Sequence, residues 1–122
     1  MPWVRLAALS ELEAGAGNRV ELSDDEAVAL VRTDDQVFAV EDCCSHEEYP
    51  LSEGWVEDHQ IECALHGSRF DLLTGHPDVP PAVAPVRTFP VRLAGDDVLV
   101  DLPDDWAELA AEADSMTNTN RS

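Results

Sequence analysis

The chain has 122 residues, a length that suits one domain with its own hydrophobic core. Its formal net charge is −19, from 26 acidic residues against seven arginines and no lysine, and such a field repels nucleic acid and anionic membranes. No stretch approaches the roughly 20 apolar residues of a membrane span, and the N-terminus lacks a basic-then-apolar leader. We therefore expect a soluble cytoplasmic protein.

The first part of the chain alternates short β-branched runs with turns rich in Asp, Ser and Gly. This alternation favours antiparallel strands. We predict four of them before the first cysteine pair, at 3–6, 19–22, 27–32 and 36–40. The intervening residues 10–18 contain Gly15 and Gly17 and are predicted to form a loop.

The second part begins with a predicted loop at 42–52 and a hairpin that pairs 54–57 with 60–63. A second loop at 66–70, a turn at 73–77 and a final hairpin of 88–94 with 98–102 complete the predicted elements. The proline-rich stretch 79–85 cannot be a central strand. These signals indicate an all-β protein, an antiparallel sandwich or barrel.

After residue 103 the sequence pattern changes from that of strands to that of a helix. Asp104 and Asp105 suit a helix N-terminus, and we predict a helix over 106–113. Trp106, Leu109 and Ala110 would form an apolar stripe on it, to dock on the sandwich or on a neighbour. We predict a folded domain at 1–103 and an acidic helical and disordered tail at 104–122.

Two pairs of cysteine and histidine form the pattern C-x-H-x16-C-x2-H, with Cys44 and His46 in the first pair and Cys63 and His66 in the second. A Rieske [2Fe–2S] centre has this ligand set, because two histidines replace two cysteines on one iron. The hairpin between the pairs explains the spacing, since it carries the chain out and back. The pattern predicts one [2Fe–2S] cluster per chain.

Two alternatives to this interpretation exist. Two cysteines and two histidines also bind structural zinc, although zinc pairs usually join Cys to Cys and His to His. The other alternative is coincidence between buried cysteines and hydrogen-bonded histidines. Cys43 abuts a ligand and is predicted to be a small buried side chain, and His59 and His76 lack ligand spacing.

The motifs together resemble a small Rieske-type ferredoxin, similar to the ferredoxin components of bacterial ring-hydroxylating dioxygenase systems. The resemblance covers about residues 3–102 and rests on the pairs above and on the segments Leu51-Ser52-Glu53-Gly54, 63–71, Thr74-Gly75 and Pro81-Ala82. It implies an antiparallel β-sandwich with a two-loop cluster-binding subdomain. It also implies that Cys44 and Cys63 bind the inner iron, and that His46 and His66 bind the outer iron through Nδ1.

The resemblance also suggests which residues surround the cluster: Gly67, Ser68, Phe70 and Pro81. High-potential Rieske proteins carry a loop disulfide at the positions of Tyr49 and Leu65, where this chain has no cysteine. Ser68 matches a serine that donates a hydrogen bond to the cluster, but Phe70 replaces a hydroxyl-bearing tyrosine. We expect a potential near the low end of the Rieske range of about −150 to +300 mV.

We expect a one-electron carrier, not an enzyme, that takes electrons from a reductase and passes them to an oxygenase or other redox enzyme. An acidic stretch from Glu41 to Glu62 contains no basic residue and would steer a partner with a basic docking surface. An alternative role is a redox accessory or regulatory protein linked to iron–sulfur cluster assembly.

Overall fold

The computed structural model describes residues 3–23, 26–33, 36–43, 50–57, 59–64, 67–77 and 85–110. Within these residues the strands are β1 (Trp3–Ala8), β2 (Gly17–Glu21), β3 (Ala27–Arg32), β4 (Val37–Glu41), β5 (Trp55–Glu57), β6 (Gln60–Glu62), β7 (Arg69–Asp71), β8 (Thr88–Phe89), β9 (Val91–Ala94) and β10 (Asp97–Asp101). A short helix, α1, covers residues 104–110, and one-turn 3₁₀ helices lie at Leu9–Glu11 and Leu51–Glu53. The predicted all-β class with a short C-terminal helix is confirmed.

The strands form three antiparallel sheets with the orders β1-β10-β9, β2-β3-β4-β8 and β5-β6-β7. The second sheet is the middle layer of the molecule. Its strand β3 is buried along nearly its whole length, which explains its continuous apolar run. Alternate side chains of β3 therefore serve two different cores.

The first core lies between the middle sheet and the β1-β10-β9 sheet. Val28 and Leu30 of β3 meet Val98 and Val100 of β10 there. Helix α1 adds Trp106, whose ring centroid lies 5.4 Å from that of Phe89. The apolar stripe predicted on this helix thus docks on the sandwich, while residues 111–122 lie outside the described residues.

The second core lies on the other face of β3 and supports the β5-β6-β7 sheet. Ala29 and Val31 pack there with fully buried residues from the part of the chain that contains this small sheet: Leu51, Ile61, Cys63, Phe70 and Leu72. Burial of each large aliphatic or aromatic side chain contributes about 1.5–3 kcal/mol. This core fixes the small sheet, and with it Cys63, to the rest of the protein.

The predicted strand 88–94 is wrong as a single element. It divides at Pro90 into β8, which pairs with β4, and β9, which pairs with β10. Proline has no N–H to donate to a ladder and fixes φ, so the chain leaves one sheet and enters the other at this residue. The other predicted strands begin and end within two residues of those observed. The predicted loop 66–70 is wrong at its end, because residues 69–70 belong to β7 and pair with β6, and a three-residue strand is too short to give an alternating pattern.

Candidate metal centre

The structure describes half of the residues that the sequence assigned to the site. Cys63, Gly67, Ser68 and Phe70 lie within the described residues. The other predicted site residues, Cys44, His46, His66 and Pro81, lie outside the described residues, as do Tyr49 and Leu65.

The second cluster loop, residues 63–68, connects β6 to β7 and is closed by its own backbone. The Cys63 amide donates to the Ser68 carbonyl at 2.7 Å, and the Gly67 amide donates to the Cys63 carbonyl at 2.9 Å. Gly67 has a φ of 77°, a left-handed conformation that favours glycine. Beyond the loop, Glu62 and Arg69 are cross-strand partners. These hydrogen bonds fix the two ends of the loop relative to each other.

Cys63 is buried at the root of this loop, with 1% of its surface exposed. It belongs to the second core, together with Phe70 and Leu72. Ser68 is also fully buried. A thiolate in an apolar, water-poor setting suits an iron–sulfur cluster, because soft thiolate ligands prefer iron–sulfur units and exclusion of water tunes their potential. The described part of the site fits the predicted group.

The first cluster loop, residues 43–51, leaves β4 and returns through the 3₁₀ turn Leu51–Glu53. Its ends are joined through Asp42, whose carboxylate accepts bonds from the Ser52 amide at 2.7 Å and the Ser52 hydroxyl at 2.6 Å. Arg19 of β2 donates to the same carboxylate at 2.9 Å. Cys43, the first residue of the loop, is partly rather than fully buried.

The two loops approach each other at Gly54, where the first loop has ended and β5 is about to begin. A Cβ atom at Gly54 would overlap the carbonyl oxygen of Glu62 and lie 3.2 Å from the Ala64 amide nitrogen. Glu62 and Ala64 flank Cys63, a predicted ligand, in sequence. The absence of a side chain at Gly54 therefore permits the ends of both loops to meet.

The predicted hairpin between the two Cys/His pairs is present as β5–β6. Its strands pair from Trp55 with Glu62 to Glu57 with Gln60, so the chain returns to the end from which it departed. His59 lies at the opposite end of the hairpin from Cys63, is exposed, and meets Phe38 edge-on with ring centroids 5.8 Å apart. The position of His59 agrees with its prediction as a turn residue.

The acidic stretch is not uniform in the structure. Asp42 is buried and paired with Arg19, so it cannot contribute a surface charge. Glu53 and Glu57 are exposed, and Glu62 is half-buried. Trp55 lies between Glu53 and Glu57 in the chain, is the cross-strand partner of Glu62, and has 61% of its surface exposed. Sequence reasoning did not single out Trp55, Asp42 or Arg19, since tryptophan, aspartate and arginine in themselves give no local signal of exposure or pairing.

Residues 2–90 match the Rieske [2Fe-2S] domain family, and the chain belongs to this family. Among the described residues, none of the helices has the length and apolar character required to cross a membrane.

Three similar proteins indicate which class of Rieske protein this chain belongs to. The ferredoxin component of biphenyl 2,3-dioxygenase from Rhodococcus jostii is 40% identical over 102 residues, which cover 84% of this chain and 94% of the relative. The ferredoxin of carbazole 1,9a-dioxygenase from Nocardioides aromaticivorans superposes with a TM-score of 0.78 at 37% identity, covering 84% of this chain and all of that one. A complex of reduced oxygenase and oxidized ferredoxin in carbazole 1,9a-dioxygenase matches with a TM-score of 0.75 at 33% identity over 84% and 98% of the chains.

Within its family the chain is accordingly a Rieske-type ferredoxin. It binds one [2Fe–2S] cluster and functions as an electron carrier. The cofactor predicted from the two Cys/His pairs is confirmed, whereas the assignment of individual ligands stays a prediction.

Proposed function

We propose that this protein carries single electrons from a reductase to the oxygenase of a ring-hydroxylating dioxygenase system in the cytoplasm. The observation that carries the proposal is the buried Cys63 at the root of a closed loop that meets the end of the first cluster loop at Gly54. The two loops carry the C-x-H and C-x2-H pairs. Relatives 37–40% identical to this chain are named as ferredoxin components or subunits of dioxygenases.

The proposed ligands are Cys44 and Cys63 for the inner iron and His46 and His66 for the outer iron. When bound, such a cluster accepts and returns one electron, at a potential set by its ligands and surroundings. Burial of Cys63 in the second core supports an inner position for its iron. The protein contributes a rigid, water-poor support, and the electron moves to or from whichever partner is docked.

The surroundings described for Cys63 support a potential toward the low end of the Rieske range. Phe70 is fully buried in the same core as Cys63, and its ring has no hydroxyl to donate to a sulfur atom. Hydrogen bonds to sulfur stabilise the more negative reduced cluster and so raise the potential. The absence of a hydrogen-bond donor on the Phe70 ring therefore favours a lower potential.

The proposed docking surface is the outer face of the β5-β6-β7 sheet. Trp55 is exposed there, with Glu57 two residues along its strand and Glu62 directly across from it. Glu62 also precedes Cys63, so this face adjoins a proposed ligand. Exposed tryptophan is a frequent anchor of binding energy, and surrounding carboxylates favour a partner with arginines or lysines. The net charge of −19 would speed the encounter with such a partner.

Spectroscopy of the purified protein tests the proposal. We expect a reddish-brown protein with two iron atoms per chain, uptake of one electron, and the paramagnetic resonance spectrum of a mixed Cys/His cluster. Cys63→Ser should lose the cluster, whereas the matched variant Cys43→Ser should keep it. A colourless protein that holds one zinc ion would overturn the proposal.

The direction of electron flow requires a separate experiment. With the reductase and oxygenase of a biphenyl dioxygenase system as probes, we expect repeated reduction and oxidation of the protein, with product formed in proportion. A stable complex whose activity depends on the redox state, without turnover of electrons, would instead favour the regulatory role.

A further inference from the structure

Asp42 is a buried carboxylate with a complete set of partners. Its side chain is fully buried, and its two oxygens accept three hydrogen bonds from Ser52 and Arg19. Its own amide donates to the Ala27 carbonyl at 3.0 Å, which fixes its backbone to β3. A buried charge is tolerated only when it is paired and hydrogen-bonded, so this arrangement has little freedom to change. We call Arg19, Asp42 and Ser52 the Asp42 clamp.

The Asp42 clamp spans the first cluster loop. Asp42 immediately precedes the loop and Ser52 immediately follows it, ten positions later in the chain. Both proposed ligands of this loop, Cys44 and His46, lie between the two clamped residues. A loop whose ends are tied together has fewer conformations, which lowers the entropic cost of holding its ligands in one geometry.

The third member of the clamp comes from a strand that supplies no ligand. Arg19 lies on β2, 23 positions before Asp42, and β2 also packs directly on the turn that ends the loop. A Cβ atom at Gly17 would lie 2.7 Å from the Ser52 Cα. The edge strand β2 therefore supports the return end of the loop through Ser52 and the departing end through Asp42.

We propose that the Asp42 clamp is the positioning unit of the first cluster loop. Asp42, held by Arg19, sets the separation and orientation of the two loop ends, and thereby the geometry in which Cys44 and His46 hold the cluster. This inference rests on the ligand assignment in the proposed function. Its failure is distinguishable from a failure of that assignment, because the wild-type protein would still contain a Rieske cluster.

The test compares Asp42→Ala and Asp42→Asn with the matched control Asp97→Asn. Asp97 forms an ion pair of similar length with Arg5, at 2.7 Å, on the β1-β10-β9 sheet, but that pair is half exposed. Three quantities are measured: the half-life of the visible absorbance in the presence of an iron chelator, the paramagnetic resonance spectrum of the reduced protein, and the thermal midpoint of unfolding.

We expect Asp42→Ala to shorten the cluster half-life at least about tenfold, since hydrogen bonds to a charged group are lost together. The resonance lines should broaden, because the ligands adopt several geometries. Asp42→Asn should restore part of the half-life, because an amide retains an acceptor for the Ser52 amide. Asp97→Asn should match the wild type in half-life and spectrum.

If Asp42→Ala does not fold, Ser52→Ala and Arg19→Lys provide the same comparison, because each removes only part of the clamp. Shortened cluster half-lives in both, with thermal midpoints close to that of Asp97→Asn, would support the proposal. Wild-type half-life and line shape in these variants or in Asp42→Asn, accompanied by a lowered thermal midpoint, would show that the clamp only stabilises the fold and would overturn it.

Discussion

The Cys63 amide donates a 2.7 Å hydrogen bond to the Ser68 carbonyl, which closes the second cluster loop on itself. A proposed ligand therefore lies at the point where the loop is fixed. The first cluster loop uses a different device, because a buried side chain rather than the backbone joins its ends. The ends of the two loops meet at Gly54.

Gly54→Ala should separate the loops and lose the cluster. The new methyl group would overlap the Glu62 carbonyl oxygen, and backbone on a paired strand cannot move without disturbing β6. We expect less than about one tenth of the wild-type iron content, since a steric conflict of this kind costs about 1–3 kcal/mol or more. Iron content and visible absorbance measure the effect. Glu53→Ala, an exposed neighbour, is the control and should keep its cluster.

Phe70→Tyr should raise the midpoint potential. A hydroxyl in the buried setting of Phe70 needs a hydrogen-bond acceptor, and a cluster or cysteine sulfur would supply it. A net hydrogen bond of about 1 kcal/mol corresponds to a shift of about 40 mV for one electron. Protein-film voltammetry measures the potential, with Phe38→Tyr as a control on the partly buried side of the same core. An unchanged or lower potential would contradict the assignment of Phe70 to the cluster surroundings.

Trp55→Ala should slow electron transfer without changing the potential. Loss of an aromatic anchor commonly costs about 2 kcal/mol of binding, which corresponds to a roughly thirtyfold decrease in kcat/KM for the partner. The rate with the biphenyl oxygenase and reductase should also fall as ionic strength rises, because salt screens the acidic surface. Leu93→Ala, at an exposed apolar residue on β9, is the matched control. Equal rates in the two variants would remove Trp55 from the docking surface.

Trp106→Ala should destabilise the whole domain and not just the tail. The indole is 5% exposed, packs on Phe89, and lies 4.8 Å from the Arg87 guanidinium carbon. Truncation of a large aromatic residue in a core costs about 3–5 kcal/mol. Urea unfolding followed by circular dichroism measures the loss. A change below about 1 kcal/mol on that scale would mean that the helix is an appendage, as a division at residue 103 implies.

Ligand chemistry was readable from the sequence because it is local. The mixed Cys/His pairs specify the cofactor through residue type and short spacing, and the hairpin between them follows from turn residues at 58–59. Pro90 also carried a local signal, since proline excludes a continuous strand over 88–94. The cofactor could be predicted correctly because a Rieske cluster requires thiolate and imidazole ligands, whatever the arrangement of the loops in the fold.

The positions of Asp42 and Trp55 in the fold could not be predicted, because they depend on contacts between residues that are distant in the sequence. The sequence presented Asp42 as one of many acidic residues, but the fold buries it against Arg19 and Ser52, so its charge supports a loop and not a surface. Likewise, the pairing of Trp55 with Glu62 places an exposed aromatic ring beside the carboxylate that precedes Cys63. The sequence by itself determined what the protein binds. Only the tertiary structure decided which side chains join the loop ends and which face of the β5-β6-β7 sheet stays exposed, because burial and pairing arise from packing between strands remote in the chain.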